Sequence, residues 1–482
     1  MVRLTLVAVA ILAFAGCKTE NGAFCQTHPG QQGCTDAAVV GGPCQTDNDC
    51  TMGNLRVCDT ALGGGKCVEC TVAKSNACQN PEPACVMDAC QKCTEHAQCP
   101  SRACMPDGTC ADTTAVAYVA PGGSGTACTQ VAPCKTLTDA IAAKPIVKIA
   151  QGTIADDSNN PTTIDNKAIT ILADAGAKLT RTKAGNILEV KNSQADVRIY
   201  DVEISSPIAA KNDTAILVSN GAPKLTLTRV KIDSYVGTGV SITAGTLTVS
   251  QCIISDNGAN GILATNSSLI VTGSTISRNG EIGILLPNVA KATVTQNTIN
   301  INSGGGISVT NSEFDITNNF IFGNGGGATA FGGVLLNQAN NGIRKFEFNT
   351  VTENIASMVT GISCTGIDSG KVLTLSNSII FDNQIGGGRQ QVSGANCQWT
   401  YSDIGDSVTV GQNPVPGTGN IVADPMFVDP TNATNKNYRL KAGSPARNTA
   451  DAAATVTADF DGNSRPQDGR CDMGADEVMP TQ

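Results

Sequence analysis

The sequence predicts an all-β protein in which a small disulfide-rich repeat region precedes a parallel β-helix solenoid. Residues 252–258 (CIISDNG) return 22 positions later as residues 274–280 (STISRNG), and related copies continue in both directions. Twelve cysteines between positions 44 and 110 form three units of four. Aromatic residues make up 4% of the chain and charged residues 15%, whereas glycine occurs 51 times, a composition typical of many short strands joined by tight turns.

The N-terminus carries the features of an export signal. Arg3 precedes an apolar stretch at residues 4–15, which is shorter than the roughly 20 residues that span a bilayer. The following FAGC (14–17) resembles the cleavage site of a bacterial lipoprotein, so we expect residues 1–16 to be removed and Cys17 to carry lipid. By the same resemblance, Lys18 favours an outer-membrane lipoprotein that faces the periplasm or the cell surface. Ordinary secretion is the alternative.

The next two regions are a polar tether and a set of structural disulfides. Residues 17–42 form the tether from the lipid, with a Cys25–Cys34 loop as one option. Residues 43–112 contain too few apolar residues for a core, so bridges must replace it, and we expect a stalk rather than a small binding module. Two C-x-x-C pairs fall at the junctions between units, where zinc and thiol chemistry are the weaker alternatives. The pairing stays open among Cys44, Cys50, Cys58, Cys67, Cys70, Cys78, Cys85, Cys90, Cys93, Cys99, Cys104 and Cys110.

The repeat of about 22 residues predicts the coils of the solenoid, which we assign to residues 113–410. Four columns of residues recur at spacings of 22, 22, 23 and 22, and apolar positions alternate with polar ones as in a strand. Because no helix lies between copies, successive coils stack as parallel strands, with three short strands in each coil. The columns start at Leu225, Leu227, Val230 and Ile232 and end at Phe314, Ile316, Asn319 and Ile321.

Two further columns belong to turns. Stacked asparagines can pass side-chain amide hydrogen bonds from coil to coil, and the glycines are expected where a turn requires a positive φ. The asparagines are Asn257, Asn279, Asn302, Asn324, Asn354 and Asn383. The glycines are Gly239, Gly261, Gly283, Gly306, Gly333 and Gly361.

Both ends of a solenoid must be covered, because unpaired strands invite aggregation. Residues 133–143 (PCKTLTDAIAA) predict a short amphipathic helix with Leu137, Ala140 and Ile141 on one side, suited to closing the first end. The last coils and a C-terminal cap are assigned to residues 411–482. Two further disulfides are candidates, Cys128–Cys134 and Cys364–Cys397.

Two segments resemble known proteins. Residues 118–141 (YVAPGGSGTACTQVAPCKTLTDAI) resemble the opening of right-handed parallel β-helix proteins of the pectate-lyase-like superfamily. Residues 424–448 (DPMFVDPTNATNKNYRLKAGSPARN) and 459–477 (DFDGNSRPQDGRCDMGADE) are similar to the C-terminal region called choice-of-anchor Q in bacterial surface proteins. The resemblance covers residues 115–477. It implies a right-handed coil and makes polysaccharide cleavage the first enzymatic activity to test.

Candidate catalytic residues lie beside the asparagine column. A β-helix hydrolase needs a pair of carboxylates, and a lyase needs a cation with an Arg or Lys base. The Gly-His-Gly and Arg-Ile-Lys motifs of the family's hydrolases are absent from this sequence. Asp256, Arg278, Glu353 and Asp382 each directly precede an asparagine of the column. Asp256 and Arg278 are expected one coil apart, about 4.8 Å in backbone spacing. An exposed ion pair of little energetic consequence is the alternative.

One segment near the C-terminus has oxygen ligands at a spacing like that of a calcium site. Asp459, Asp461 and Asn463 are the candidate ligands, although the full 12-residue loop with its terminal Glu is missing. A turn held by Asx hydrogen bonds is the alternative. We expect no cofactor other than this candidate Ca²⁺.

The remaining features favour binding over catalysis. A net charge of −9, a pI near 4.9 and the lack of a basic stripe argue against a nucleic-acid partner. Trp399, Tyr401 and Tyr438 could line a sugar-binding patch or pack in the core. We therefore expect a lipid-anchored, non-catalytic β-helix that binds a glycan or a cell-surface partner. A polysaccharide lyase or glycoside hydrolase is the alternative, and a structural spacer is the third hypothesis.

Overall fold

The structure, a computed structural model, describes most of the chain after position 42. The predicted signal peptide, Cys17 and the tether with Cys25 and Cys34 lie outside the described residues. The chain divides into two compact units between Ala115 and Val116. The described ranges are residues 43–51, 53–61, 65–156, 158–206, 213–337, 342, 344–365, 372–386, 388–394, 397–406, 416–432 and 435–480.

From residue 43 onward, the described part of the first unit contains three disulfide-bonded modules, so the predicted disulfide-rich region is confirmed. In each module the first cysteine pairs with the third and the second with the fourth, a pairing that the spacing alone left open. The bridges are Cys44–Cys58, Cys50–Cys67, Cys70–Cys85, Cys78–Cys90, Cys93–Cys104 and Cys99–Cys110. The cysteine triads whose sulfurs lie close enough to hold a metal are all among these bonded residues, so they offer no thiolate.

Short elements connect the cysteines of this unit. The 3₁₀ helices are Asp47–Asp49, Val72–Ala77, His96–Gln98 and Thr113–Ala115. The antiparallel strand pairs are Val57–Asp59 with Lys66–Val68 and Ala84–Val86 with Ala89–Gln91. Adjacent modules are tied by the Lys74–Asp47 ion pair and by Asn80, which exchanges two hydrogen bonds with the backbone of Cys110.

The second unit is a parallel β-helix, as the repeat of about 22 residues in the sequence predicts. Each complete coil contributes strands to three parallel sheets, named A, B and C in their order along a coil, with 12, 11 and 10 strands. Sheet A comprises Val116–Val119, Ile146–Ile149, Ala168–Ala173, Asp196–Tyr200, Lys224–Thr228, Thr246–Ser250, Ser268–Thr272, Lys291–Thr295, Phe314–Thr317, Arg344–Glu347, Leu373–Ser376 and Cys397–Thr400. Sheet B comprises Gly152–Asp156, Ala177–Arg181, Glu203–Ile204, Lys231–Asp233, Ile253–Ser255, Thr275–Ser277, Thr298–Asn300, Phe320–Phe322, Thr350–Thr352, Ile379–Phe381 and Asp403–Ile404. Sheet C comprises Thr162–Asp165, Leu188–Lys191, Thr214–Ser219, Thr238–Ile242, Ile262–Ala264, Ile282–Pro287, Gly305–Thr310, Val334–Asn337, Ile362–Thr365 and Val392–Ser393.

The interior is filled by the predicted apolar columns. Leu225 pairs in register with Leu247, then with Leu269, Ala292 and Phe314 on successive coils, and each is 0–1% exposed. Alternate residues of these strands point outward, which matches the period of two in the sequence. The first, second and fourth predicted columns are therefore confirmed as core.

The asparagine column forms the predicted ladder in the turn between sheets B and C. The Nδ2 of Asn257 donates to Oδ1 of Asn279 at 2.9 Å, and Asn279 donates to Asn302 at 2.8 Å. The ladder continues through Asn324, Asn354 and Asn383 and ends on Oε1 of Gln391. All six asparagines are buried, so the ladder satisfies polar groups that burial would otherwise penalise.

The third predicted column lies in the turn between sheets A and B and forms a second ladder, which the sequence did not reveal. The backbone N–H of Cys252 donates to Oγ of Ser274 at 3.0 Å. The N–H of Ser274 donates to Oδ1 of Asn297 at 2.9 Å, and that of Asn297 to Oδ1 of Asn319 at 3.0 Å. The column is therefore buried, and from Cys252 onward its side chains accept backbone hydrogen bonds, whereas its first member, Val230, is an apolar core side chain.

The expectation of a positive φ at the glycine column is wrong. The positive-φ positions in the described residues do not include these glycines. A Cβ at Gly261 would lie 2.6 Å from the carbonyl oxygen of Gly283 and 2.7 Å from the side chain of Ile276, so glycine is required by the close approach of coils. The left-handed conformation belongs instead to residues directly before ladder residues, such as Asp256 (φ 56°) and Arg278 (φ 52°).

The predicted helix covers the first end of the solenoid. It spans Leu137–Ala143, its N-cap Thr136 accepts the N–H of Asp139, and Leu137, Ala140 and Ile141 are buried. Both candidate disulfides of this unit, Cys128–Cys134 and Cys364–Cys397, are formed. No helix in the described ranges is long and apolar enough to cross a membrane.

Residues 424–480 pack against the outer face of sheet B and form a second apolar cluster there. Phe320, Phe348 and Ile379 of the β-helix meet side chains of this C-terminal segment, among them Phe427 and Tyr438. The segment contains the antiparallel pair Phe427–Asp429 and Asn437–Leu440. A further small sheet, on the B–C turns, comprises Ile355–Ala356, Gln384–Ile385 and Gly388–Arg389. The region expected to hold the last coils and a cap is thus, from residue 424, a segment packed on the side of the solenoid.

A buried arginine fastens the C-terminal segment to the coils. The guanidinium of Arg465 lies 4.3 Å from the ring centroid of Phe348 and donates to Asn318 of the β-helix. It also forms an ion pair with Glu477, and both side chains are fully buried. Because each charge in such a pair depends on the other, we infer that this cluster fixes the position of the segment.

Candidate functional site

The four candidate catalytic residues share one position in the coil. Each of Asp256, Arg278, Glu353 and Asp382 adopts the left-handed conformation, with φ between 52° and 56°. The next residue turns inward to join the asparagine ladder, and the candidates line the outside of the B–C turns. Their recurrence in the sequence therefore reflects the turn geometry of the fold.

Asp256 and Arg278 form an exposed bidentate ion pair. Nε and Nη2 of Arg278 each donate to one carboxylate oxygen of Asp256 at 2.7 Å. The hydrogen bond from Arg278 lowers the pKa of Asp256 below its usual value. A carboxyl group that acts as a general acid needs a raised pKa, so Asp256, which stays ionised, is not suited to that role.

Glu353 and Asp382 lie on neighbouring coils, remote from the first pair. The ammonium of Lys436 bonds to Glu353, and Nε of Arg389 lies 3.0 Å from Oδ1 of Asp382. Four coil steps separate Asp256 from Glu353, which at about 4.8 Å each gives about 19 Å, well beyond the carboxylate separation of glycosidases. The structure thus divides the four candidates into two separate pairs.

The candidate calcium ligands do not fit a metal. Oδ1 of Asp459 accepts the N–H of Asn463 at 2.7 Å, and Oδ2 accepts the N–H of Glu477. Asp461 is held by Arg439, whose Nη2 lies 2.6 Å from Oδ1. A calcium ion needs six or more oxygen ligands that converge on one point, and these oxygens already face N–H donors. We derive no role for Ca²⁺ from this turn.

The aromatic residues singled out in the sequence are mostly structural. Trp399 is 3% exposed and lies in the core of the β-helix. Tyr401 faces the C-terminal segment, with the guanidinium of Arg470 5.7 Å from its ring centroid. Tyr438 is buried between Phe322 and Phe427, at centroid distances of 4.7 Å and 5.3 Å. The three rings do not form one sugar-binding surface.

A groove lies between sheet B and the C-terminal segment, and we call it the sheet B groove. It encloses about 340 Å³. Outward-facing hydroxyl and amide side chains form one wall, residues 435–439 form the other, and phenylalanine rings lie at one end. The groove is lined by Thr275, Ser277, Arg278, Thr298, Asn300, Ile301, Phe320, Phe322, Asn435, Lys436, Asn437, Tyr438, Arg439 and Phe460. Of the residues named from the sequence, only Arg278 and Tyr438 belong to it.

A second cavity of about 580 Å³ lies further along the same side of the β-helix, and we call it the acidic cleft. Its acidic residues are Glu353, Asp382, Asp424 and Asp429, and Lys441 also lines it. Glu353 and Asp382 thus share a cavity, unlike Asp256 and Glu353.

The free thiols in the described part of the chain are buried. The N–H of Val230 donates to Sγ of Cys252 at 3.4 Å, so this cysteine serves as a member of the A–B ladder. Burial raises the pKa of Cys252 to about 11 and also raises the pKa of Cys471. Neither is set up as a thiolate nucleophile.

A comparison with protein families supports the fold. The family described as "Right handed beta helix region" matches residues 185–345, and no curated protein matches the chain. The crystal structure of pectate lyase Pel9A is similar at 14% identity with a TM-score of 0.44, covering 76% of this chain and 97% of that chain. The AlgE4 A-module of the Azotobacter vinelandii mannuronan C-5 epimerase reaches 14% identity and a TM-score of 0.32, covering 53% and 90%. The catalytic domain of a GH87 α-1,3-glucanase reaches 12% and 0.32, covering 64% and 69%. Together with the strand pairing, the family match identifies a right-handed parallel β-helix.

Proposed function

We propose that this chain is a surface lipoprotein whose β-helix is a non-catalytic scaffold that binds a glycan. In this proposal Cys17 carries the lipid that holds the protein at the outer membrane, and the disulfide-rich modules serve as a stalk. The glycan occupies the sheet B groove. Function depends on the site and not on the fold, so the residues of this groove decide what the protein binds.

The composition of the groove is the observation that supports binding. Thr275, Thr298 and Asn300 present hydroxyl and amide groups from three positions on two neighbouring coils, about 4.8 Å apart. Asn435 and Asn437 line the opposite wall. Ligand sites for sugars and other small molecules combine a few placed polar groups with apolar surface, which Phe322 supplies here. None of the residues that line this groove is an Asp, a Glu or a His, so it offers hydrogen bonds without the pair of carboxylates that a glycosidase needs.

The proposal is tested by glycan binding to the full chain. A panel of oligosaccharides is screened by calorimetry, together with a Thr298→Gln variant that fills the groove. Thr248→Gln is the matched control, because Thr248 has the same outward, half-buried position in a strand of sheet A but lines neither cavity. We expect binding by the wild type and the control and loss in Thr298→Gln. Equal binding by both variants would place the ligand elsewhere, and no binding to any glycan would refute the proposal.

A polysaccharide hydrolase or lyase is the second candidate, and the acidic cleft favours it. Glu353 and Asp382 lie on neighbouring coils, and their backbone spacing of about 4.8 Å is near the carboxylate separation of about 5 Å in retaining glycosidases. Against this, both carboxylates are bonded to cations, whereas a catalytic acid needs a raised pKa.

The release of new reducing ends from a polysaccharide panel separates the two candidates. We expect no release by the full chain. Release that is lost in both Glu353→Gln and Asp382→Asn, but retained in Asp201→Asn on a distant turn, would instead assign a glycoside hydrolase to the acidic cleft.

A further inference from the structure

We propose that the sheet B groove selects an uncharged carbohydrate, and that Asp256 enforces this selectivity by neutralising Arg278. The inference rests on the proposed function and adds the class of ligand.

Every cation that lines the groove is already bound to a carboxylate. Arg278 is held by Asp256 in a bidentate pair, and Lys436 is bonded to Glu353. Arg439 is held by Asp461. The three positive charges are matched by three negative charges, so the groove has no net attraction for an anionic sugar.

A fourth carboxylate lies behind Arg439. Asp476 is 8% exposed and its Oδ2 lies 3.4 Å from Nε of Arg439. Burial raises the pKa of Asp476 to about 7, so this group adds negative charge as the pH rises above neutrality. A uronate would therefore meet three paired cations, one of them with a further carboxylate behind it, and it would have to displace a paired carboxylate to gain an ion pair.

The unused hydrogen-bonding capacity of the groove is uncharged. The side chain of Asn300 lines the groove, and its amide group can donate and accept hydrogen bonds with ligand hydroxyls. Thr275 and Thr298 add hydroxyls on the adjacent positions of sheet B. Phe322 offers an apolar face beside them. Hydroxyls on one side and C–H groups on the other are the two surfaces that a neutral pyranose presents.

Calorimetry on the full chain, with two matched ligand sets, tests the inference. Neutral gluco-oligosaccharides are compared with galacturonate and mannuronate oligosaccharides of equal length. We expect the neutral set to bind at least tenfold more tightly, with an affinity that changes less than twofold between about 0.05 M and about 0.5 M salt. The Asp256→Asn variant frees Arg278 and is expected to strengthen uronate binding about fivefold at low salt.

Asp201→Asn is the matched control for this variant. Asp201 holds Arg229 in an equivalent bidentate pair on adjacent coils, at 2.6 Å and 2.8 Å, but neither residue lines the groove. We expect no gain in uronate affinity from this control. Uronate binding that is tighter than neutral binding and lost with salt would overturn the class of ligand while leaving a glycan-binding function. An equal gain in both Asn variants would overturn the role of Asp256, and no binding to either set would overturn the proposed function itself.

Discussion

At the scale of single residues, Asp403 is the clearest case of a buried group that opposes stability. It lies in the last strand of sheet B and is 0% exposed. Its Oδ1 accepts the N–H of Ala423 at 3.1 Å, whereas Oδ2 has no hydrogen-bond partner in the described ranges. Burial raises the pKa of Asp403 from 3.8 to about 7, and the nearby charge of Asp424 acts in the same direction.

This shift gives a prediction for stability against pH. Between its ordinary pKa of 3.8 and about 7, the folded state binds more protons at Asp403 than the unfolded state does, so the free energy of unfolding falls as the pH rises through this range. A shift of about 3 units corresponds to at most about 4 kcal/mol. We expect Asp403→Asn to be more stable than the wild type at about pH 8 and equally stable near pH 4, as measured by urea unfolding.

Part of the pH dependence should remain in that variant, because burial also raises the pKa of Asp476 and Asp472. The Asn side chain keeps the acceptor for Ala423, so the local turn is preserved. An Asp403→Asn variant that is destabilised equally at both pH values would contradict the prediction, because a raised pKa requires the difference in stability to change between them.

The roles of some single residues could be predicted from the sequence, and the roles of others could not. The asparagine ladder was predictable because one residue type recurs at one spacing. The left-handed positions before it hold Asp256, Arg278, Ile301, Gly323 and Glu353, and this mixture hides a shared backbone role. Charged residues at such positions therefore resembled a catalytic cluster, although they line the outer side of the turns.

At the scale of elements, the glycine column sets how closely the coils approach. Gly239, Gly261 and Gly283 lie under the carbonyl of the next coil, at distances that leave no room for a Cβ. The sequence showed that these positions need glycine but not why they need it. A close contact between coils and a positive φ both favour glycine, so the two causes give the same sequence pattern.

We predict that Gly261→Ala destabilises the β-helix by about 1–3 kcal/mol, because the added methyl group would press on the backbone of the next coil. Gly326→Ala is the matched control, since a Cβ there meets no atom within 4 Å and the residue is not in a positive-φ conformation. Thermal unfolding followed by circular dichroism measures both. A control that loses as much stability as Gly261→Ala would contradict the argument from close approach.

The groove could not be read from the sequence for a different physical reason. One wall is periodic and follows from the pairing of Thr275 with Thr298. The other wall, residues 435–439, is placed by tertiary contacts such as Arg465 against Phe348, which have no periodicity. Repeats predict the solenoid itself, whereas the segment that completes the site depends on individual contacts distant in sequence.

At the scale of the whole molecule, the two units are stabilised by different means. The first unit has small buried clusters made mostly of cysteines, such as Cys44, Cys50, Leu55, Cys58 and Cys67. The second has a continuous apolar core inside the coils that runs from Ala117 to Ile404, in addition to the apolar cluster on the outer face of sheet B. Stacked repeats stabilise each other through their neighbours, so the β-helix does not depend on covalent bridges to the same degree.

This difference predicts the response to a reductant. Each bridge of the first unit closes a loop of 11 to 17 residues, which corresponds to about 3 kcal/mol per bridge. We expect dithiothreitol to make residues 43–110 sensitive to protease while residues 116–480 stay protected and the β-sheet signal in circular dichroism is retained. Cys128 and Cys134 belong to the apolar core of the β-helix, which we expect to stay folded on reduction, so their bridge should survive. Incubation with oxidised dithiothreitol is the control, and loss of the β-sheet signal on reduction would show instead that the solenoid depends on its own disulfides.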